Sequence, residues 1–193
     1  RCGYNVPGIH STCHTDLYSE HNGTRIPYSG GWHDAGDLSQ QTLQTADVTF
    51  ALLEAYRKAL QSNPVLASRL KEEARWGLEF VMKNRYSDGY RASSMGLLHW
   101  LDGVVGSKDD IKTVRIQNLP FDNFLYSGYE AYAALTLKEE DRKTYDRLVT
   151  IAEEDYSFAM EKYLKDGYAG FRQPYEHQYN TSQSQFMATA SWA

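Results

Sequence analysis

No run of apolar residues in the sequence approaches the roughly 20 that a helix needs to cross a bilayer, so a membrane span is not expected. A basic stripe is lacking too. Twenty basic residues are outnumbered by 25 acidic ones, for a net charge of −5, and neither nucleic acid nor an anionic membrane is an expected partner. No signal peptide opens the chain, which starts abruptly on Arg1-Cys2-Gly3. A start removed upstream would leave the compartment open. Only two cysteines are present, Cys2 and Cys13, so at most one disulfide can form within the chain. No stretch carries a credible strand pattern, which points to an all-α fold.

What is present is enough for one domain with a sizeable core: 193 residues, 41% hydrophobic and 23% charged. Aromatic residues reach 13%, led by 15 Tyr. Such a surplus suits stacking on sugars and equally a Tyr-rich helical core. Composition does not choose between them.

Gly3, Pro7, Gly8, Gly23, Pro27, Gly30, Gly31 and Gly36 break up the first forty residues, which read as loop. A helix is predicted from about Leu38 to Leu60, with Leu43, Ala46, Phe50, Leu53 and Leu60 near one face. Asn63-Pro64 reads as the cap and first position of a second helix. That helix runs to about Tyr86, with Leu66, Leu70, Ala74, Leu78 and Met82 spaced by four, and Trp76 is expected in its core face. A long connection follows from Ser87 to about Leu119, a length usually functional or disordered. Third and fourth helices are predicted over about Phe121–Leu137 and Glu139–Leu164, the latter stopped by Asp166-Gly167. Residues 168–180 are again loop, and a fifth helix begins near Thr181-Ser182. Helix pairs joined by alternating short turns and long loops predict a toroid or solenoid. The pattern runs on at Trp192-Ala193, so more of the same polypeptide is expected beyond it.

The chemistry concentrates in Gly30-Gly31-Trp32-His33-Asp34-Ala35-Gly36-Asp37. Asp34 and Asp37, three apart in a Gly-rich turn, can direct both carboxylates at one water molecule. One would accept its proton and the other would fix it with a second hydrogen bond. The competing reading is that one of them caps the helix that follows. Cys2, Cys13, His14 and His33 form a second constellation, since two thiolates and two imidazoles suit tetrahedral Zn²⁺. A Cys2–Cys13 disulfide is the alternative there, and His10 is a spare ligand candidate. Asp102, Asp109, Asp110 and Asp122 make calcium possible but unsupported, because no dense Asp-x-Asp loop is present. The sequons at Asn22 and Asn180 matter only in a host that glycosylates.

The octet resembles the signature of glycoside hydrolase family 9, the cellulase and endoglucanase family with an (α/α)6 toroid. Cys13-His14, Arg1-Cys2-Gly3 and Ala190-Ser191-Trp192-Ala193 are similar to that family as well. The likeness is tight over residues 1 to about 60 and looser beyond. It implies that residues 1–193 are a partial catalytic domain, about the N-terminal half of the toroid. Residues 1–37 would be a metal-pinned catalytic loop and residues 38–193 helical hairpins. It implies Asp37 as the base that activates water, Asp34 as its partner, and a structural zinc on Cys2, Cys13, His14 and His33. The reaction implied is inverting cleavage of β-1,4-glucan by a secreted or periplasmic enzyme, the alternative being a non-catalytic carbohydrate-binding relative of the same fold. Inversion needs a general acid roughly 6.5–9.5 Å from the base. The resemblance supplies a Glu near the domain's C-terminal end, which Glu130, Glu154 and Glu176 do not match. The acid is therefore expected beyond Ala193, and the chain alone is expected to be inactive. Trp32, Trp100, Tyr175, His177 and Tyr179 are candidate sugar-contacting residues. Leu38 stands where the resemblance leads one to expect an aromatic, which leaves the exact glucan open.

Overall fold

The computed structural model describes residues 15–36, 38–99, 111–167 and 183–193. They fall into two compact units: described residues of 15–86 and 91–117 in the first, and of 87–90 and 118–193 in the second. The dominant packing in each is a helical hairpin, as the all-α expectation required. Strands are also present, which the sequence reading did not foresee.

In the first unit, strands β1 (Tyr18–His21) and β2 (Thr24–Pro27) form an antiparallel hairpin with Tyr18 opposite Pro27 and His21 opposite Thr24. Its two-residue turn is Asn22-Gly23, at φ 48° and 77°. Positive φ at both positions makes a type I′ turn, whose twist matches the flanking strands. Ser19 and Ile26 face each other across the ladder and are both buried, while their neighbours point outward. The first forty residues are thus not all loop, and Asn22-Gly23 is a structural turn.

β3 (Gln40–Gln41), β4 (Arg91–His99) and β5 (Ile111–Gln117) form a three-stranded antiparallel sheet in that order. This corrects the reading of 87–119 as connection. Two register shifts interrupt β4, between Ala92 and Ser94 and between Leu97 and His99. Such bulges destroy the two-residue alternation by which a strand is recognised. The same sheet takes residues 40–41 from the first helix, which begins later than expected: α1 spans Thr42–Ala59.

Helix α2 spans Pro64–Lys83. Asn63 caps it through Oδ1, which accepts from the Leu66 amide at 3.1 Å, and Pro64 occupies the first turn, where no amide donor is needed. Leu60 and Leu66, placed on core faces by spacing alone, are exposed because each lies at a hairpin end. A core of Tyr28, Phe80, Ala92 and Met95 joins the β-sheet to α2. Within it the Tyr28 hydroxyl lies 3.2 Å from Thr42 Oγ1, which donates to the Ala92 carbonyl at 2.6 Å. Tyr28 therefore fixes where the following loop begins.

In the second unit, α3 (Pro120–Leu137) pairs with α4 (Arg142–Asp166), and α5 (Gln183–Trp192) packs on α3. Asp141 caps α4 by accepting from the Thr144 amide at 3.0 Å and hydroxyl at 2.8 Å, so the helix starts three residues after the expected Glu139. Gly167 ends it at φ 63°, as Asp166-Gly167 predicted. Phe124 and Ala159 centre the core there, and Ala190 and Ala193 pack against it.

Candidate active site

The Gly-rich loop leaves the two-stranded sheet after Pro27 of β2 and enters the three-stranded sheet at β3. Gly30 and Gly31 take φ of 100° and 67°, conformations open to glycine and strained for other residues. Gly31 is crowded as well: a Cβ there would lie 2.5 Å from Gln40 Nε2 and 2.9 Å from Phe80 Cδ1.

Three successive carbonyls of this loop are held by side chains. The Ser29 carbonyl accepts from Lys83 Nζ, that of Gly30 from Gln40 Nε2 at 2.6 Å, and that of Gly31 from Trp76 Nε1 at 2.9 Å. Trp32 then donates its own indole N–H to Glu73 Oε1 at 2.8 Å. Its ring wedges against Gly77, where no side chain intervenes. Ser29, Gly31 and Trp32 thus meet Lys83, Trp76 and Glu73, so the loop runs antiparallel along α2. Trp76, expected as a core residue, is half-buried and serves as a donor to this loop. Beside it, Thr15, Ser29, Gly30, Trp76, Glu79, Phe80 and Lys83 line a cavity of about 310 Å³. Burial pushes the Lys83 ammonium below the ordinary lysine range, and the Glu79 carboxylate opposes that shift.

Asp34 is exposed. Its amide donates to the Ser39 carbonyl at 3.0 Å, and its Oδ1 accepts from Ser39 Oγ at 2.6 Å. The amide bond fixes the backbone at Asp34 and the Ser39 hydroxyl holds Oδ1 of its carboxylate. A turn closed by the Leu38 amide on the Ala35 carbonyl follows, and Leu38 sits at φ 61°. A left-handed conformation at a bulky residue is uncommon and marks a segment whose shape its surroundings impose. The cap of α1 is Gln41, in extended conformation and without a side-chain bond. Asp34 therefore does not hold the N-cap position.

Of the predicted site residues, Trp32, His33 and Asp34 are described and lie consecutively on the clamped loop. Asp37, Cys2, Cys13, His14, Trp100, Tyr175 and His177 lie outside the described residues, as do His10, Tyr179, Glu176, Asp102, Asp109, Asp110 and Asn180. Glu130 and Glu154 are on helices α3 and α4, Glu130 fully buried. Asp122 is in the first turn of α3. Among the described residues no group of three His, Cys, Asp or Glu side chains could hold a metal. Sequence reasoning missed Glu73, Trp76, Lys83 and Gln40. The available signal was a charged and indole-bearing stripe, Glu73, Trp76 and Lys83, interrupting the apolar pattern beside Gly77.

Comparison with known proteins gives a consistent result. The sequence model of glycosyl hydrolase family 9 matches residues 1–193. Among curated protein sequences none matches. A metagenome-derived glycoside hydrolase family 9 endoglucanase is similar in structure at 26% identity and a TM-score of 0.66, over 83% of this chain and 33% of that one. AaCel9A in complex with cellobiose-like isofagomine is similar at 20% identity and a TM-score of 0.65, over 83% of this chain and 34% of that one. A Zn-binding triple mutant of the family 9 endoglucanase J30 is similar at 19% identity and a TM-score of 0.70, over 99% of this chain and 41% of that one. The chain thus spans about a third to two fifths of the length of these proteins. Their fold class is shared: helical hairpins of the kind repeated in an (α/α)6 toroid.

Proposed function

Because the chain belongs to glycosyl hydrolase family 9, we propose that it is the water-activating part of an inverting β-1,4-glucanase. The observation that carries the proposal is the Asp34 carboxylate, exposed and aimed by Ser39 on a loop pinned to α2. In this reading Asp37 takes a proton from the water as its oxygen bonds to the anomeric carbon. Asp34 Oδ2 accepts the water's other hydrogen and sets its line of attack, while Oδ1 stays with Ser39. A general acid, a Glu outside these 193 residues, protonates the leaving glycosidic oxygen as the bond breaks. The 193 residues alone would then hydrolyse nothing.

The substrate proposed is a cellulose-type glucan, in line with the cellobiose-like ligand of AaCel9A. Trp32, Trp100, Tyr175 and His177 are proposed to contact the sugars. An enzyme for such a polymer works outside the cytoplasm, so a secreted or periplasmic location belongs to the proposal. Cys2, Cys13, His14 and His33 are proposed to hold a structural Zn²⁺, a soft tetrahedral donor set that would cross-link the loop ahead of Asp34. About one zinc per protein molecule by elemental analysis, lost in Cys13→Ser, is the expected result. A full complement of metal in that variant would refute the ligand set.

The reaction is tested with the full-length protein on soluble β-glucans, following the new reducing end by proton NMR. The first product formed should be the α-anomer, since inversion at a β-linkage requires it. A β-anomer formed first would overturn the mechanism, and binding without turnover on every glucan would overturn the enzyme reading.

A further inference from the structure

We infer that Glu73, Trp76 and Lys83, one face of α2, are positioning residues that hold the loop backbone and thereby the Asp34 carboxylate in its working direction. The inference rests on the glucanase reading for its catalytic consequence and on geometry alone for the clamp. Positions 73, 76, 80 and 83 fall on one side of a helix, spread over about 15 Å of its axis. Opposite them the loop supplies one group per step: the Trp32 indole, the Gly31 carbonyl, Gly30 against the Phe80 ring, and the Ser29 carbonyl. A loop carbonyl left without a donor would turn to water, and the backbone would turn with it.

The path from clamp to carboxylate is short. Gln40 ties the Gly30 carbonyl to β3, and Ser39, its neighbour, holds Asp34 twice. The Gln40 bond thus ties Gly30 to the start of the segment that holds Asp34, while α2 grips the loop at Ser29, Gly31 and Trp32. Loss of the grip leaves the loop free to tilt. The expected damage is to the orientation of the attacking water, which appears in kcat, while contacts to the sugar chain elsewhere keep KM.

The test uses the full-length protein with Glu73→Leu, Glu73→Gln and Trp76→Phe, read by glucan kinetics and by amide hydrogen exchange. Glu73→Leu and Trp76→Phe are expected to lower kcat by about 10- to 100-fold, and in Trp76→Phe, which leaves Trp32 bonded to Glu73, KM should change less than about twofold. Exchange should rise in residues 30–40 and stay unchanged in β1 and β2. Glu73→Gln keeps an oxygen for the Trp32 indole and should match the unsubstituted protein in both readouts. Unchanged exchange would overturn the clamp. Raised exchange with unchanged kcat would overturn the positioning role, and Glu73→Gln as damaging as Glu73→Leu would overturn the hydrogen-bond account. An unsubstituted protein inactive on all glucans would instead sink the glucanase reading, and exchange would then decide the clamp on its own.

Discussion

Gly77→Val should destabilise the protein by about 3 kcal/mol, at the upper end of what overpacking costs. A Cβ at this position would lie 2.5 Å from Trp32 Cζ3 and closer still to Thr49 Oγ1. Thr49 cannot swing away freely, since its hydroxyl donates to the Thr45 carbonyl at 2.7 Å. Trp32 cannot either, since its indole is bonded to Glu73. The absence of a side chain at Gly77 is thus what lets α1, α2 and the Trp32 ring meet. Gly77→Ala should cost less, because the methyl is smaller and alanine recovers about 1 kcal/mol of helix propensity. Combining Gly77→Val with Trp32→Leu opens the wedge, so the double variant should be less destabilised than the sum of the singles. Thermal unfolding midpoints of Gly77→Val, Trp32→Leu and the double variant measure this. Strict additivity, or a neutral Gly77→Val, would show that Trp32 does not fill the space above Gly77.

The helices were legible because each has a local signal. Asn63-Pro64 starts α2 and Asp166-Gly167 stops α4 where their chemistry demands. The strands were not, for identifiable reasons. β4 reads Arg-Ala-Ser-Ser-Met-Gly-Leu-Leu-His, with no β-branched residue, a glycine and two bulges. β5 did carry a signal in Ile111, Thr113, Val114 and Ile116, but its burial does not alternate cleanly. Asn22-Gly23 was a turn signal read as a glycosylation sequon. Within the site, the octet marked the loop that bears Asp34. Its supports were invisible, because Glu73, Trp76 and Lys83 bond to residues 41, 45 and 54 positions away. Bonds of that span leave no periodic trace in the sequence.

The largest functional effect is expected at Asp37. Asparagine has the size of aspartate and keeps one acceptor oxygen, but its amide cannot take a proton from water at neutral pH. The loop should tolerate the change, because Lys83, Gln40, Trp76 and Ser39 anchor its backbone. Loss of a general base costs about 100- to 10,000-fold in rate, and sugar binding does not depend on proton transfer. Asp34→Asn should cost less, since its amide oxygen still accepts from Ser39 and only the second acceptor, for the water's other hydrogen, is lost while the base remains. The pair separates base from positioner, a distinction that helix capping would not produce.

The most direct measurement is therefore the hydrolysis rate of a soluble β-1,4-glucan by the full-length protein, unsubstituted and Asp37→Asn, with glucan affinity measured on both. The account predicts active unsubstituted protein, a loss of at least about 100-fold in the variant, and affinity unchanged within about twofold. Equal hydrolysis by the two proteins would contradict it.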